Sequence, residues 1–359
     1  MPLPWTAGCP WRRRGWASTV TDRAFYQLRV QAVRPETDEA CSLVFEVPPE
    51  LSAVFAYQPG QFLTLRIPSD RDGSVARCYS LCSSPLTGDP LTVTVKQTAG
   101  GYASHWIADN VRPGTTLDVL PPAGMFVPSS LDDDFLLLAA GSGITPVMSI
   151  LKSVLAAGTG RVVLVYANRD ERSVIFGSAL RDLAAEVGSR LLLVHWLDVL
   201  QGLPTPCGLV PLIRPFRASQ IYASGPDAFL SAVREAAGTV GVPPRGVRVE
   251  RFLSLQHNPF DAPEPVAAGV AATLEVTLDG TRRSLDWPAG TRMLDILIGA
   301  ELDPPFSCRE GICGACACQL MSGKVEMANN EVLDEADLAD GYILACQSVA
   351  LSPEVSVTY

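Results

Sequence analysis

Histidine is nearly missing from this 359-residue chain: His105, His195 and His257 are the only three, and they are scattered. A histidine-based metal site or a Ser-His-Asp triad therefore has little to be built from. Long apolar runs are missing too. Stretches such as 135–140 and 191–196 are strand-length, far short of the ~20 residues that cross a bilayer. Arg12-Arg13-Arg14 is followed by no apolar stretch, since Thr21-Asp22-Arg23 interrupts it, so neither a signal peptide nor a twin-arginine export signal is expected. The expectation is a soluble, cytoplasmic protein with no membrane segment. There is no internal repeat and no low-complexity tract. Charged residues make up only 18% against 47% apolar, an ordinary globular balance. The length suffices for two or three domains, each with a core. Positive charge is also scarce, for the net charge is −10. Residues 272–359 carry 14 acidic and 5 basic residues, or −9, and the other 271 residues only −1. Such a surface repels nucleic acid and favours a basic docking partner, though it also serves plain solubility.

What the chain does have is cysteine, ten in all. Cys308, Cys313 and Cys316 form a C-x4-C-x2-C run, and Cys346 follows after 29 residues. That spacing is the one by which four thiolates hold a plant-type 2Fe-2S cluster. Gly311 and Gly314 let the backbone curl closely around an inorganic core. Zinc also favours C-x2-C pairs, but a C-x4-C-x2-C loop with a distant fourth cysteine is atypical for it. The other six cysteines have no framework spacing, which points to a reducing compartment. Cys318 is expected on the strand after the loop, as a small buried hydrophobe and not as a fifth ligand.

Three patterns follow one another along the chain. After an N-terminal extension (1–22), residues 23–128 alternate short strand-like runs with turn signals, which predicts a small antiparallel β-barrel. Residues 129–256 alternate strands and helices: strands at 135–140, 161–167, 191–196, 220–223 and 247–252, helices at 147–155, 174–187 and 226–237. This predicts an α/β unit with a parallel sheet and right-handed crossovers. Residues 257–271 read as a proline- and alanine-rich linker. Residues 272–359 open with strands at 273–278 and 282–286 around the hairpin signal Asp279-Gly280-Thr281, then a helix at 291–300, then the cysteine loop.

Four stretches before that loop suggest ligands. In Arg77-Cys78-Tyr79-Ser80-Leu81, Arg77 and Tyr79 share one face of a strand, where a guanidinium can pair with phosphate while a ring stacks on a planar heterocycle. The bland alternative is a strand with one surface arginine. Gly100-Gly101-Tyr102-Ala103-Ser104 runs into a helix start, whose free N–H groups favour anions. In Gly141-Ser142-Gly143-Ile144-Thr145-Pro146, a glycine turn follows a strand and opens a helix, as pyrophosphate binding needs, although the third glycine of G-x-G-x-x-G is absent. Ser224-Gly225-Pro226 stands at the carboxyl end of another strand, where ligands of parallel sheets bind.

Together these motifs resemble the reductase components of bacterial oxygenases, over residues 24–359. R-x-Y-S, G-S-G-I-T-P and C-x4-C-x2-C fall in that family's order and at its separations. Three subfamilies are candidates: the reductases of 3-ketosteroid 9α-hydroxylase, of phenylacetyl-CoA epoxidase, and of phthalate dioxygenase and other aromatic-ring-hydroxylating dioxygenases. Stretches 164–176 and 101–104 are most similar to the ketosteroid hydroxylase reductase. The resemblance implies a multidomain fold: an antiparallel flavin-binding β-barrel, an α/β nicotinamide domain and an α+β β-grasp ferredoxin domain. It implies FAD, with Arg77 at the flavin phosphate, Tyr79 on the isoalloxazine, Ser80 near N5, and Lys96, Gly101 and Ser104 completing the site. It implies a nicotinamide over Gly141, Gly143, Thr145, Pro146, Gly225 and Pro226, with Ser80 and Ser224 at the site of hydride transfer. Arg169 and Arg172 could meet a 2′-phosphate but are offset by Asp170 and Glu171, and the resemblance favours NADH over the alternative, NADPH. The implied partner is a terminal oxygenase of Rieske-type non-haem iron. Ser224 is a departure, for most members carry cysteine there. A zinc-stabilised, non-enzymatic binding protein is the rival from another class.

Overall fold

The computed structural model describes residues 25–70, 73–261, 268–278 and 280–359. The expected extension 1–22, the middle of the expected linker and Asp279 of the hairpin signal lie outside these residues.

The first unit contains β1 (Tyr26–Thr37), β2 (Ala40–Glu46), β3 (Phe62–Ser69), β4 (Gly73–Ser80), β5 (Thr92–Lys96), α1 (Tyr102–Asn110) and β6 (Thr116–Ala123). The strands form one antiparallel sheet in the order β4-β3-β6-β1-β2-β5. A bridge between Leu81 and Val93 brings its two edges together, rolling it into a barrel. Period-two alternation fills the inside: Leu63, Leu65 and Ile67 of β3 are fully buried with Leu28, Val30, Leu43 and Phe45. Ile107 of α1 plugs one end.

The second unit runs β7 (Phe135–Ala140), α2 (Ile144–Ala157), β8 (Val162–Asn168), α3 (Gly177–Val187), β9 (Leu191–Leu197), α4 (Asp198–Gln201), α5 (Pro206–Ile213), β10 (Gln220–Ser224), α6 (Asp227–Thr239) and β11 (Val247–Glu250). Its sheet is parallel throughout, in the order β11-β10-β7-β8-β9. Strands buried on both faces read as continuous apolar runs, as β7 and β8 do. Phe135, Leu137 and Ala139 face α2 and α3, while Leu136 and Leu138 face α5 and α6. The strand order reverses beside β7, so its carboxyl end and that of β10 form the crevice where such sheets bind ligands. Helix α3 starts later than expected because a capping box of Asp170 and Ser173 closes a short turn first, and Phe176 then takes a left-handed φ of 61°.

The third unit contains β12 (Ala272–Leu278), β13 (Thr281–Trp287), α7 (Met293–Gly299), β14 (Ala317–Ser322), β15 (Val325–Met327), α8 (Glu335–Ala339), β16 (Tyr342–Leu344), β17 (Ser348–Ala350) and β18 (Glu354–Thr358). A mixed sheet, β13-β12-β18-β14-β16, has β12 parallel to β18 at its centre. Met293, Leu294 and Leu297 of α7 bury against Trp287, Leu274 and Val276, the β-grasp arrangement. No helix among the described residues is long and apolar enough to cross a membrane.

The three units touch. Thr64 of β3 and Ser307 share a hydroxyl–hydroxyl bond of 2.6 Å. Ala76, Leu255 and Cys308 form a small core with Cys78, Phe260, Ile312 and Cys313 around it. Asn258 donates to Ser74 Oγ at 2.8 Å, so the first part of the expected linker is tied to the barrel. Arg245 reaches Asp334, the cap of α8, at 3.0 Å.

Candidate functional site

Strand β4 is the meeting point. Alternation turns Arg77 and Tyr79 to one face and Cys78 and Ser80 to the other. The Arg77 guanidinium donates to the neighbouring Ala76 carbonyl at 2.7 Å. Burial raises the Tyr79 phenol far above its ordinary range, so it stays neutral. Gly101 caps α1 and sits so close to Thr98 and Ser104 that a Cβ would fall 2.2 Å from Thr98 Oγ1. Ser104 Oγ donates to the Gly101 carbonyl at 3.2 Å. Lys96, at the end of β5, lies 4.0 Å from Glu39, which also accepts from Arg169 of the second unit at 3.3 Å. Its Nζ is 3.8 Å from where a Gly141 Cβ would stand. The barrel's cation thus reaches the glycine turn of the parallel sheet.

That turn is closely built. Gly141 has φ +53°, a left-handed value that glycine adopts freely, and its carbonyl accepts from Tyr166 Oη at 3.0 Å. A Cβ on Gly143 would lie 2.0 Å from the Ser224 carbonyl oxygen, so the loops after β7 and β10 touch backbone to backbone. Thr145 Oγ1 donates to the Ser142 carbonyl at 3.0 Å, and Pro146 is buried in the first turn of α2. Gly225 approaches Ala140 and Phe229, and Pro226 precedes α6. Ser224 is fully buried, and among the described residues its hydroxyl has no hydrogen-bond partner; both amide atoms of Asn168, at the end of β8, are likewise enclosed and unpartnered among them. Such groups cost stability unless a ligand satisfies them, which suits a binding crevice.

One residue in this crevice escaped the sequence reading. Glu250, the last residue of β11, pairs in register with Ser224, and its Oε2 accepts from Ser80 Oγ at 3.3 Å. Burial raises its carboxyl from about 4.5 to about 8, while the Ser80 hydroxyl pulls it partway back. Ser80 of the first unit thus meets this carboxyl, while Ser224 of the second stands beside Glu250 in the register of the sheet. A lone glutamate at a strand end carries no motif, and Ser80 is 170 residues away, so nothing local could have singled it out.

The other face of β4 looks toward the cysteine loop. Thr64 Oγ1 lies 3.4 Å from Cys78 Sγ and 2.6 Å from Ser307 Oγ. Burial pushes the Cys78 thiol up to about 12, with Cys308 near enough to add to the effect. Cys78 was passed over within R-x-Y-S, although strand alternation alone places it away from Arg77 and Tyr79. In the loop, Arg309, Gly311 and Gly314 have positive φ. Backbone N–H groups of Glu310, Ala315 and Cys346 point at the sulfurs of Cys308, Cys313 and Cys316, at 3.3, 3.5 and 3.4 Å. Gln347 Nε2 lies 3.5 Å from Cys346 Sγ. The Cys308 thiol is lowered by its neighbours Cys313 and Cys346, whose own thiols are raised by it in turn. Cys346 also adjoins Cys316, so the four sulfurs neighbour one another in a chain. Yet among the described residues no three such ligands converge as a single ion requires. A wider two-iron core, with N–H groups directed at its thiolates, fits these residues better than zinc does. Cys318 is buried on β14.

Comparison with known proteins accords with this geometry. The family model of an oxidoreductase FAD-binding domain matches residues 28–127, that of an oxidoreductase NAD-binding domain residues 137–208, and that of a 2Fe-2S iron-sulfur cluster binding domain residues 276–351. The chain is 54% identical over 341 residues to the 3-ketosteroid-9-alpha-monooxygenase ferredoxin reductase component of Mycobacterium tuberculosis, covering 93% of this chain and 95% of that protein. It is 53% identical to the component of the same name from Rhodococcus rhodochrous, covering 92% and 96%. Among solved structures, phthalate dioxygenase reductase superposes with a TM-score of 0.56 at 26% identity, over 93% of this chain and 98% of that one.

Proposed function

This chain belongs to the family of 3-ketosteroid-9-alpha-monooxygenase ferredoxin reductase components, and from that premise we propose that it carries electrons from NADH, through FAD and a 2Fe-2S cluster, to the terminal oxygenase of a 3-ketosteroid 9α-hydroxylase. The proposed oxygenase is of Rieske type. The bound groups supply hydride acceptance and the conversion of an electron pair into single electrons. What the chain supplies is position.

The observation that carries the reading is the double contact of β4. Its end meets the nicotinamide unit through the Ser80–Glu250 bond, and its Cys78 face meets the cysteine loop. A flavin held by Arg77, Tyr79, Lys96, Gly101 and Ser104 would therefore lie between donor and acceptor. In this reading Gly141, Gly143, Thr145, Pro146, Gly225 and Pro226 cradle the nicotinamide dinucleotide. Ser80 and Ser224 orient the two rings, with Glu250 behind both. Cys308, Cys313, Cys316 and Cys346 hold the iron, and the shell of N–H groups stabilises negative charge on their sulfurs. NADH is preferred because Arg169 is engaged by Glu39 and Asp170, which leaves it poorly placed for a 2′-phosphate.

The purified chain is expected to reduce both ferricyanide and cytochrome c with NADH. Cys313→Ala should abolish the cytochrome activity and spare much of the ferricyanide activity. Loss of both together would contradict a flavin that lies upstream of the cluster. Turnover of a ketosteroid by the matching oxygenase, sustained by this chain and NADH, tests the assignment of the partner.

A further inference from the structure

The hydroxyl bond between Thr64 and Ser307 joins the strand beside β4 to the residue that precedes the first cluster cysteine. Thr64 is fully buried and Ser307 is 2% exposed, yet their oxygens lie 2.6 Å apart across 243 positions of chain. In the register of β3 and β4, Thr64 stands opposite Cys78, and its hydroxyl lies 3.4 Å from that thiol. On the other side, Ser307 is followed by Cys308, which packs with Ala76 of β4 and with Leu255. Cys78 and Cys313 border the same small core, so one strand pair adjoins two of the four cysteines. Arg77 and Tyr79, the flavin candidates, occupy the opposite face of β4.

Two hydroxyls at a boundary otherwise closed by Ala76, Leu255 and Ile312 add little attraction. A formed hydrogen bond contributes modestly to stability, but a buried hydroxyl left without its partner is costly. If the cysteine loop slid along β3, both oxygens would be parted inside an apolar contact, so the pair penalises every other register. The incoming chain is fastened at the same boundary. The His257 N–H donates to the Glu310 carboxylate of the cysteine loop, and the next residue, Asn258, donates to Ser74 of β4 at 2.8 Å.

We propose that Thr64 is a positioning residue for electron transfer: its bond to Ser307 holds the cysteine loop in one register on β4 and so fixes the separation of flavin and cluster. The inference rests on the reading of Arg77 and Tyr79 as flavin contacts and of the four cysteines as cluster ligands. In each transfer one electron leaves the reduced flavin, one ferric ion of the cluster becomes ferrous, and the proton that the flavin sheds goes to water. Thr64 takes no part in that chemistry.

The test compares the full chain, loaded with FAD and its cluster, as wild type, Thr64→Val, Ser307→Ala and Thr64→Ser, with iron and acid-labile sulfide measured on each. In stopped-flow, NADH should reduce the flavin at the wild-type rate in every sample. Transfer from flavin to cluster should slow by about tenfold in Thr64→Val and Ser307→Ala, since a misplacement of about 1 Å can cost about a hundredfold in rate. Thr64→Ser keeps the hydroxyl and should keep the rate. A second readout needs no turnover: maleimide labelling of Cys78, read by peptide mass spectrometry, reports how often the boundary opens. It should quicken by about tenfold in both hydroxyl-free variants, because the lost hydrogen bond raises the opened population by that factor. Transfer at the wild-type rate in both variants, at full iron and sulfide, overturns the proposal, and so does unchanged labelling of Cys78. If Ser307→Ala binds less iron, Thr64→Val, which lies outside the loop, decides alone. Wild-type protein without acid-labile sulfide or without bound flavin would instead defeat the reading on which the proposal stands.

Discussion

Replacing Glu250 by glutamine should make the protein more stable, and increasingly so as pH rises. The side chain keeps its shape and an oxygen that can accept from Ser80, but it no longer ionises. In the folded chain burial holds the Glu250 carboxyl at about 8, against 4.5 when unburied. Between those values the folded state keeps the proton and the unfolded state gives it up. The contribution is fully present below pH 4.5 and is lost as pH climbs through 8. At 1.36 kcal/mol per unit, the full difference amounts to at most about 5 kcal/mol, and to about 3 kcal/mol by pH 7. Urea midpoints of the flavin-loaded full chain, followed by flavin release from pH 5 to pH 9, should therefore fall more steeply in the wild type than in Glu250→Gln. An infrared band of a protonated carboxyl should vanish above pH 8 in the wild type and be absent from the variant. Parallel stability curves, or no such band at pH 6, would show that the carboxyl is solvated and that the Ser80 contact does not enclose it.

Two more outcomes follow from the same crevice. Ser224→Cys exchanges an unpartnered buried hydroxyl for a weakly polar thiol, so it should stabilise the fold by about 1 kcal/mol and, in stopped-flow, speed flavin reduction by NADH; a slower rate would remove Ser224 from the hydride site. Gly143→Ala drives a Cβ to 2.0 Å from the Ser224 backbone oxygen, so it should cost about 1–3 kcal/mol and raise the KM for NADH while leaving the iron content unchanged; an unaltered KM would mean that the two loops do not jointly form the dinucleotide site.

The legible parts of this chain are those whose cause is local. A cluster loop needs its cysteines at set intervals, and a strand buried on both faces needs an unbroken apolar run such as Phe135–Ala140. Both are written in neighbouring residues. The sequence reading placed no element at helix α5, whose two prolines obscure any helical pattern; Pro206 occupies the first turn, where its missing N–H is harmless, and Thr205 caps the helix by accepting from Gly208. Residues 257–261 read as linker, yet Asn258 and Phe260 are held against the barrel by partners nearly two hundred residues earlier. Glu250 was hidden for the same reason. Its altered acidity is made by β4 and β10, and neither its own strand nor its neighbours in the chain announce it.

The Thr64–Ser307 and Arg245–Asp334 contacts have a consequence for anyone who would swap modules. The last ninety residues resemble a detachable cartridge, but their seat is shared between two hosts. A ferredoxin segment transplanted from a relative without a hydroxyl before its first cysteine and a carboxylate at the cap of its short helix would fold and bind iron, yet sit askew on the remainder. Chimaeras that exchange these four residues as a set should couple better than those cut only at the linker.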